Sequence, residues 1–302
     1  MADRYEELRP RAFAIAYRML GSVAEAEDVV QEGMLRLHRA LEAGERIESE
    51  GAYLATIVTR LAIDELRSAR VRRERYVGEW LPEPLLATDE AEDPAQQAEI
   101  ADSLSLAFLV LLENLSPEQR ATFLLREVFD YPYDEIAEIV GRSPDATRQL
   151  AVRARRQVEE GRPRFEASRR ERDELADRFF AAVQEGDLES LESLLAADVE
   201  LHGDGGGKAP ALARPVFGRE RVLRTLGAWA RAGGTRIDMT MRRTDVNGQP
   251  GAVFETADGF VISVMALDIA EGQVSSVRGI VNPDKLRHVG PPADVKALLR
   301  GD

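Results

Sequence analysis

The 302-residue chain contains no cysteine, which removes disulfides, thiolate metal sites and cysteine nucleophiles and fits a reducing compartment. Its three histidines, His38, His202 and His288, are too scattered to converge as the three or four ligands of a metal site. Neither a metal nor a cofactor is implied. Long apolar runs are also lacking. The longest, Leu106 to Leu112, falls far short of the roughly 20 residues of a membrane span. The stretch from Met1 to Arg11 mixes Asp3, Glu6 and Glu7 with its arginines and leads into no signal-peptide core. A cytoplasmic protein with no membrane partner is expected. There is no internal repeat and no low-complexity tract. With 44% hydrophobic and 31% charged residues the chain should fold, and at roughly 150 residues per domain it should form two domains, or three small ones.

Net positive charge is the next absence. The formal charge of −14 argues at face value against nucleic acid as a partner. The distribution reverses that reading, because residues 77–100 hold seven acids and no base, half of the whole excess. Elsewhere arginine is clustered, as Arg67, Arg70, Arg72, Arg73 and Arg75 in one run and Arg148, Arg153, Arg155 and Arg156 in another. Local basic stripes of this kind are the electrostatic footprint of nucleic-acid binding.

Residues 1–76 read as a helical domain. Ser22-Val23-Ala24-Glu25 has the form of a capping box. Behind it Ala26, Val30, Met34, Leu37 and Leu41 recur at helical spacing, with Asp28, Gln31, Glu32 and Leu35 on a separate face. On composition alone that second face is solvated surface. A helix from about Gly51 turns Leu54, Ile57, Val58 and Leu61 inward and Thr56, Arg60, Asp64 and Arg67 outward. Residues 77–100, with Pro82, Pro84 and Pro94, read as an acidic linker. Within it Trp80-Leu81-Pro82-Glu83-Pro84 would expose apolar area unless it docks on something.

Residues 101–165 read as a second helical domain. Ser116-Pro117-Glu118-Gln119 starts a helix through Phe129. Tyr133–Val140, the Gly141-Arg142 break and the new start at Ser143-Pro144 have helix-turn-helix spacing. In the last helix Thr147, Leu150, Ala151 and Ala154 face inward, and Arg148, Gln149, Val152, Arg153, Arg155 and Arg156 face outward. From 170 to 290 helical text between Asp173 and Ala197 gives way to antiparallel strands at Arg236–Val246, Ala252–Thr256, Gly259–Ala270 and Val274–Val281, an α+β domain; residues 291–302 form a tail. The strand Phe260–Ile269, apolar on both faces, calls for a helix on one side and a cavity or partner on the other.

No catalytic residues are assigned. Asp204-Gly205-Gly206-Gly207-Lys208 lacks the P-loop spacing, so it reads as a loop packing on another part of the protein, with Lys208 paired to a carboxylate. His202 with Asp198 and Asp204 could form a general-base pair, but a surface strand end is the simpler reading. Trp229, Phe254 and the methionines read as core. Arg148 and Gln149, early in the recognition helix, are placed to reach base edges while the other arginines hold phosphates.

Val23-Ala24-Glu25-Ala26-Glu27-Asp28-Val29-Val30-Gln31-Glu32, then Tyr53-Leu54 through Leu66-Arg67, and Leu115-Ser116-Pro117-Glu118-Gln119-Arg120 with the helix-turn-helix closely resemble the two conserved regions of extracytoplasmic-function (ECF) sigma factors. Trp80 to Pro84, Asp204 to Lys208 and Asn282-Pro283-Asp284-Lys285-Leu286 resemble the SigJ-like subgroup, which carries a fused SnoaL-like domain of the NTF2-like fold. The resemblance implies a multidomain protein: two all-α modules, sigma region 2 and the helix-turn-helix region 4, followed by an α+β SnoaL-like domain. It implies that Asp28, Gln31, Glu32 and Leu35 bind core RNA polymerase at the β′ clamp helices, with the β flap a further polymerase contact. Thr56, Arg60, Asp64, Arg67 and Arg70 would engage the minus-ten promoter element. Arg148, Gln149, Arg153, Arg155 and Arg156 would read the minus-thirty-five element. Arg60 stands where the broader family often has asparagine, so base preference there does not transfer. The three linker and loop motifs would regulate between domains, the glycine loop gripping Trp80, and the SnoaL-like domain would modulate polymerase engagement in cis rather than act as an enzyme. A small molecule is a candidate ligand of that domain. The alternatives are a one-component, ligand-sensing regulator and a SnoaL-like enzyme with a DNA-binding appendage. The charge of the linker acids, Asp89, Glu90, Glu92 and Asp93 among them, would repel DNA phosphates or transiently cover the arginine stripes of the free factor.

Overall fold

The computed structural model describes residues 2–73, 76–87, 103–160, 168–236 and 238–300, apart from the side chains of 2–4, 69–73 and 232–236. Asp89, Glu90, Glu92 and Asp93 lie outside the described residues, as do Arg75 and the side chains of Arg70, Arg72 and Arg73. The chain divides into two compact units, residues 1–75 with 109–162, and residues 76–108 with 163–302.

The first unit is all helical. α1 (Ala2–Leu20), α2 (Val23–Glu42) and α3 (Glu50–Arg73) pack around Ile15, Tyr17, Leu20, Ala26, Val30, Leu37, Leu54 and Val58. Ser22 caps α2 by accepting the Glu25 amide at 3.2 Å. After α4 (Leu106–Leu112), which crosses the division between units, come α5 (Pro117–Glu127), α6 (Tyr133–Val140) and α7 (Pro144–Glu159). Ser116 and Gln119 form a full capping box at the start of α5, which ends at Glu127 rather than Phe129. Gly141 (φ 68°) ends α6 in the left-handed conformation, open to glycine without Cβ strain, and Ser143 caps α7. α5 packs on α1 and α3, so the two helical modules form one unit.

The second unit is a six-stranded sheet with helices on one face. α8 (Arg169–Glu185) and α9 (Leu188–Leu194) precede β1 (Leu195–Asp204) and β2 (Val216–Phe217). α10 (Arg219–Arg236) leads into β3 (Met239–Val246), β4 (Gln249–Thr256), β5 (Val261–Ala270) and β6 (Gln273–Ile280), and α11 (Val295–Arg300) closes the described chain. The strand order is β2-β1-β6-β5-β4-β3. The sheet is mixed, not antiparallel throughout, because β1 runs parallel to β6. Helical text gives way to strand at Leu195, earlier than Ala197: Leu195 pairs with Val274, and the ladder resumes at Glu200 opposite Ser276 after an irregularity that takes in Ala196 and Ala197. The strand expected from Arg236 begins at Met239 because α10 runs through Arg236.

Register sorts the sheet into two faces. Leu201, Val277 and Leu267 stand side by side and join Phe179, Phe180, Leu226 and Phe254 in the core under the helices. Asp204, Ile280 and Val264 stand side by side on the opposite face, also buried. Residues 76–87 lie over that second face, bonded to Asp204 at one end and to the β3–β4 hairpin at the other, where Asn247 receives the Leu85 amide and Asp245 the Ala87 amide. This strap is the partner that the doubly apolar β5 requires. Two assignments to the core fail: Trp229 and Met239 are exposed, on a helix and at an edge-strand start. Among the described residues no helix is long and apolar enough to cross a membrane.

Candidate nucleic-acid interface and linker clamp

On α2 the faces separate as helical spacing requires. Asp28 and Gln31 are exposed, Glu32 accepts from Arg36 at 2.7 Å, and Leu35 is 43% exposed beside them.

α3 presents Thr56, Arg60, Asp64 and Arg67, and their side chains are occupied. The Thr56 hydroxyl donates to the Ala52 carbonyl at 2.9 Å. Arg60 reaches across to the C-terminal end of α6, Nε donating to the Ile139 carbonyl at 3.2 Å and an Nη to the Glu138 carbonyl at 2.8 Å. Cations are favoured there because the last carbonyls of a helix lack intrahelical partners and sit at the negative end of its dipole. Arg67 bridges Asp64 at 2.9 Å and Glu118 of α5 at 2.6 Å. The Glu118 carboxyl is pushed up by partial burial, but the Arg67 hydrogen bond and charge outweigh this and leave it below its ordinary range.

The same junction holds an arginine that sequence reasoning quoted without giving it a role. Arg120, buried, donates to the Met19 carbonyl at 2.6 Å, to the Leu112 carbonyl at 3.0 Å and to Glu113 at 2.6 Å. Burial pushes its pKa down to about 9, so it stays cationic at neutral pH. Arg11 and Arg18 of α1 lie over the rings of Tyr131 and Phe129, at 5.3 and 5.5 Å.

On the recognition helix Arg148, Gln149, Arg153, Arg155 and Arg156 are all exposed. Arg148 is held by Asp145 at 2.8 Å and lies 5.7 Å from the Tyr133 ring centre. Arg155 is tied back to Glu127 and Arg156 to Glu160, whereas Gln149 and Arg153 have no such partner among the described residues.

The second unit brings the three linker and loop motifs together. Asp204, fully buried, accepts from the Tyr76 hydroxyl, the Leu81 amide at 2.8 Å, the Gly206 amide at 3.1 Å and Lys285 Nζ at 2.6 Å. Four donors match the acceptor capacity of one carboxylate. Lys285 also donates to the Leu81 carbonyl and lies 4.3 Å from the centre of the Trp80 ring. Burial, reinforced by the bond to Asp204, holds the Tyr76 phenol far above its ordinary range. Asn282 donates to the Tyr76 oxygen at 2.8 Å and caps the short 3-10 turn Pro283–Lys285. The glycine loop meets Tyr76 and Val77: a Cβ on Gly206 would stand 2.3 Å from Asn282 Nδ2 and 3.0 Å from the Tyr76 oxygen. Gly205 turns the chain through amides of Lys208 and Ala209, Gly207 backs onto Val77, and Lys208 pairs with Asp284. Pro82, Glu83, Pro84 and Leu286 are buried, with His288 against the Pro84 carbonyl at 2.7 Å.

His202 does not pair with Asp198 or Asp204. Its Nδ1 lies 2.7 Å from Glu79 of the strap and its Nε2 3.0 Å from Glu200. The ring stands on the strap face, beside the buried Arg278–Asp268 pair and away from the core between helices and sheet. That core is filled by Phe179, Phe180 and Phe254, with ring centres 5.3 and 6.4 Å apart. Residues 76–87 thus contribute Tyr76, Glu79 and Leu81 to sites more than a hundred residues away, which no local spacing reveals.

Two helical modules with arginine-bearing faces, one a helix-turn-helix, and a linker seated on an α+β unit define a sigma factor of RNA polymerase. Residues 4–72 match Sigma-70 region 2, residues 105–158 match Sigma-70, region 4, and residues 176–281 match the SnoaL-like domain. The chain is 38% identical over 291 residues to the ECF RNA polymerase sigma factor SigJ of Mycobacterium tuberculosis, covering 94% of this chain and 92% of that one. It is 32% identical over 279 residues to the probable ECF RNA polymerase sigma factor SigI of the same species, covering 90% of each. The crystal structure of M. tuberculosis SigJ matches with a TM-score of 0.76 at 34% identity, covering 97% of this chain and 100% of that one. The chain belongs to the ECF sigma factors.

Proposed function

We propose that this chain joins core RNA polymerase and directs it to promoters, with α2 docking on the polymerase, α3 engaging the minus-ten element and α7 reading the minus-thirty-five element. The observation that carries the reading is the pair of arginine faces on α3 and α7, in modules matching regions 2 and 4. The two elements lie about 25 base pairs apart, roughly 85 Å at ~3.4 Å per pair, whereas α3 and α6 touch through Arg60. The modules must therefore part on the promoter. Parting frees Arg60 for DNA and detaches Arg67 from Glu118, and Arg120 exchanges one of its three bonds for water. The SnoaL-like unit acts in cis by holding residues 76–87, the segment that follows region 2.

The test is transcription in vitro with core polymerase. Full-length protein should support promoter-dependent initiation, and Asp28→Arg with Leu35→Asp should abolish it without unfolding the protein. Deleting residues 170–302 should change the level of initiation. An unchanged level would remove the cis role while leaving the sigma function standing.

A further inference from the structure

Val152 is 65% exposed at the middle of α7. It follows Arg148 by four residues and Gln149 by three, so the three share one face, which Arg153 and Arg156 extend. A single exposed valine is ordinary on a protein surface. Here, however, it is the one apolar member of a stripe otherwise made of arginines and a glutamine, one turn beyond Arg148 and Gln149 on the outward face of a recognition helix whose early turns meet the base edges of the major groove. It packs no core, since the inward side of α7 is supplied by Thr147, Ala151, Ala154 and Val158.

In the major groove the base pairs display hydrogen-bonding groups and a single apolar one, the 5-methyl of thymine. A side chain that cannot hydrogen-bond and cannot neutralise a phosphate has that methyl as its complement. Gln149, one turn earlier, has no hydrogen bond among the described residues, which leaves its amide able to make the bidentate contact that suits adenine. We infer that Val152 is a specificity-determining residue that packs against the methyl of one thymine in the upstream promoter element. The inference rests on the reading of α7 as the helix that reads this element.

Its test uses the full chain with core RNA polymerase on a promoter selected from a library randomised over the upstream element. Each thymine of the selected element is replaced singly by deoxyuridine, which removes the methyl and leaves base pairing and hydrogen-bonding edge intact. One replacement should lower initiation by wild-type protein about fourfold, the worth of one buried methyl-sized group. The same replacement should have no effect on Val152→Ala. If no deoxyuridine substitution couples to Val152, or if Val152→Ala weakens every selected promoter equally, the inference is overturned. Arg148→Ala separates the two levels: if it removes sequence dependence while deoxyuridine is silent, only the thymine contact fails, and if it too is silent, the reading of α7 fails with it. Thermal unfolding of Val152→Ala, expected to match wild type, excludes a folding effect.

Discussion

The two units hold charged groups in opposite ways. In the second, Asp204 and Lys285 are 0% and 6% exposed, and the carboxylate has a donor at each acceptor position. In the first, Arg60 and Arg67 cross between modules at the surface, and Arg67 meets Glu118 with more than half of its side chain in water. A buried network is costly to open, because each partner would be left unpaired in a poor solvent. A solvated contact opens cheaply, because water replaces what is lost. The strap is thus built as a lasting attachment and the junction between modules as a releasable one. Arg120 fits the second pattern despite its burial, since two of its three bonds stay within its own module.

Asp204→Ala tests this contrast most severely. It strands Lys285 and should cost about 3–5 kcal/mol in urea unfolding of the full chain; adding Lys285→Met should restore most of that. A cost no larger than that of Arg60→Ala would erase the distinction. Gly206→Ala comes next. Gly206 (φ 55°) and Gly141 (φ 68°) both adopt the left-handed conformation, so each alanine carries about 1–2 kcal/mol of backbone strain. Only at Gly206 does the new Cβ also collide with Asn282, whereas nothing stands within 4 Å at Gly141. Gly206→Ala should therefore be distinctly the more destabilising in the same assay.

Glu118→Gln should cost less than about 1 kcal/mol, yet raise the affinity of the free protein for promoter DNA, measured by fluorescence anisotropy at low salt, because Arg67 loses one of its two carboxylate partners. The smallest effect is its pH dependence. The Glu118 carboxyl is held below its ordinary value of 4.5 in the folded protein. A group held low contributes its stability above the unfolded value and loses it as pH falls through the folded one. The stability difference between wild type and Glu118→Gln should be complete at neutral pH and fade as pH drops below 4.5.

Local chemistry was legible and distant pairing was not. Ser116 with Gln119, and Gly141 before Ser143-Pro144, announce helix ends because caps are satisfied within a few residues. The outward arginines of α7 follow from its 3.6-residue period. Trp80 could be expected to dock, since an aromatic ring in an acidic linker has no other cover, but Lys285 as its neighbour lies some two hundred residues away. Sequence proximity groups His202 with Asp198 and Asp204, whereas a strand turns alternate residues to one face and the strap brings Glu79 to it. The parallel pairing of β1 with β6 likewise left no periodic trace that differs from an antiparallel strand. Arg60 reads as outward and is outward; what the period could not tell is that another helix end waits there.

The seating of residues 76–87 on the sheet also bears on how such proteins can be recombined. Their side chains fit one particular surface, with Tyr76 against Gly206 and Asn282 and Leu81 between Asp204 and Lys285. Grafting this C-terminal unit onto a different initiation factor would succeed only if the donor's own segment travelled with it. A cut before Tyr76 carries residues 109–162 of the first unit along with that segment, whereas a cut at the start of α8 leaves the segment behind.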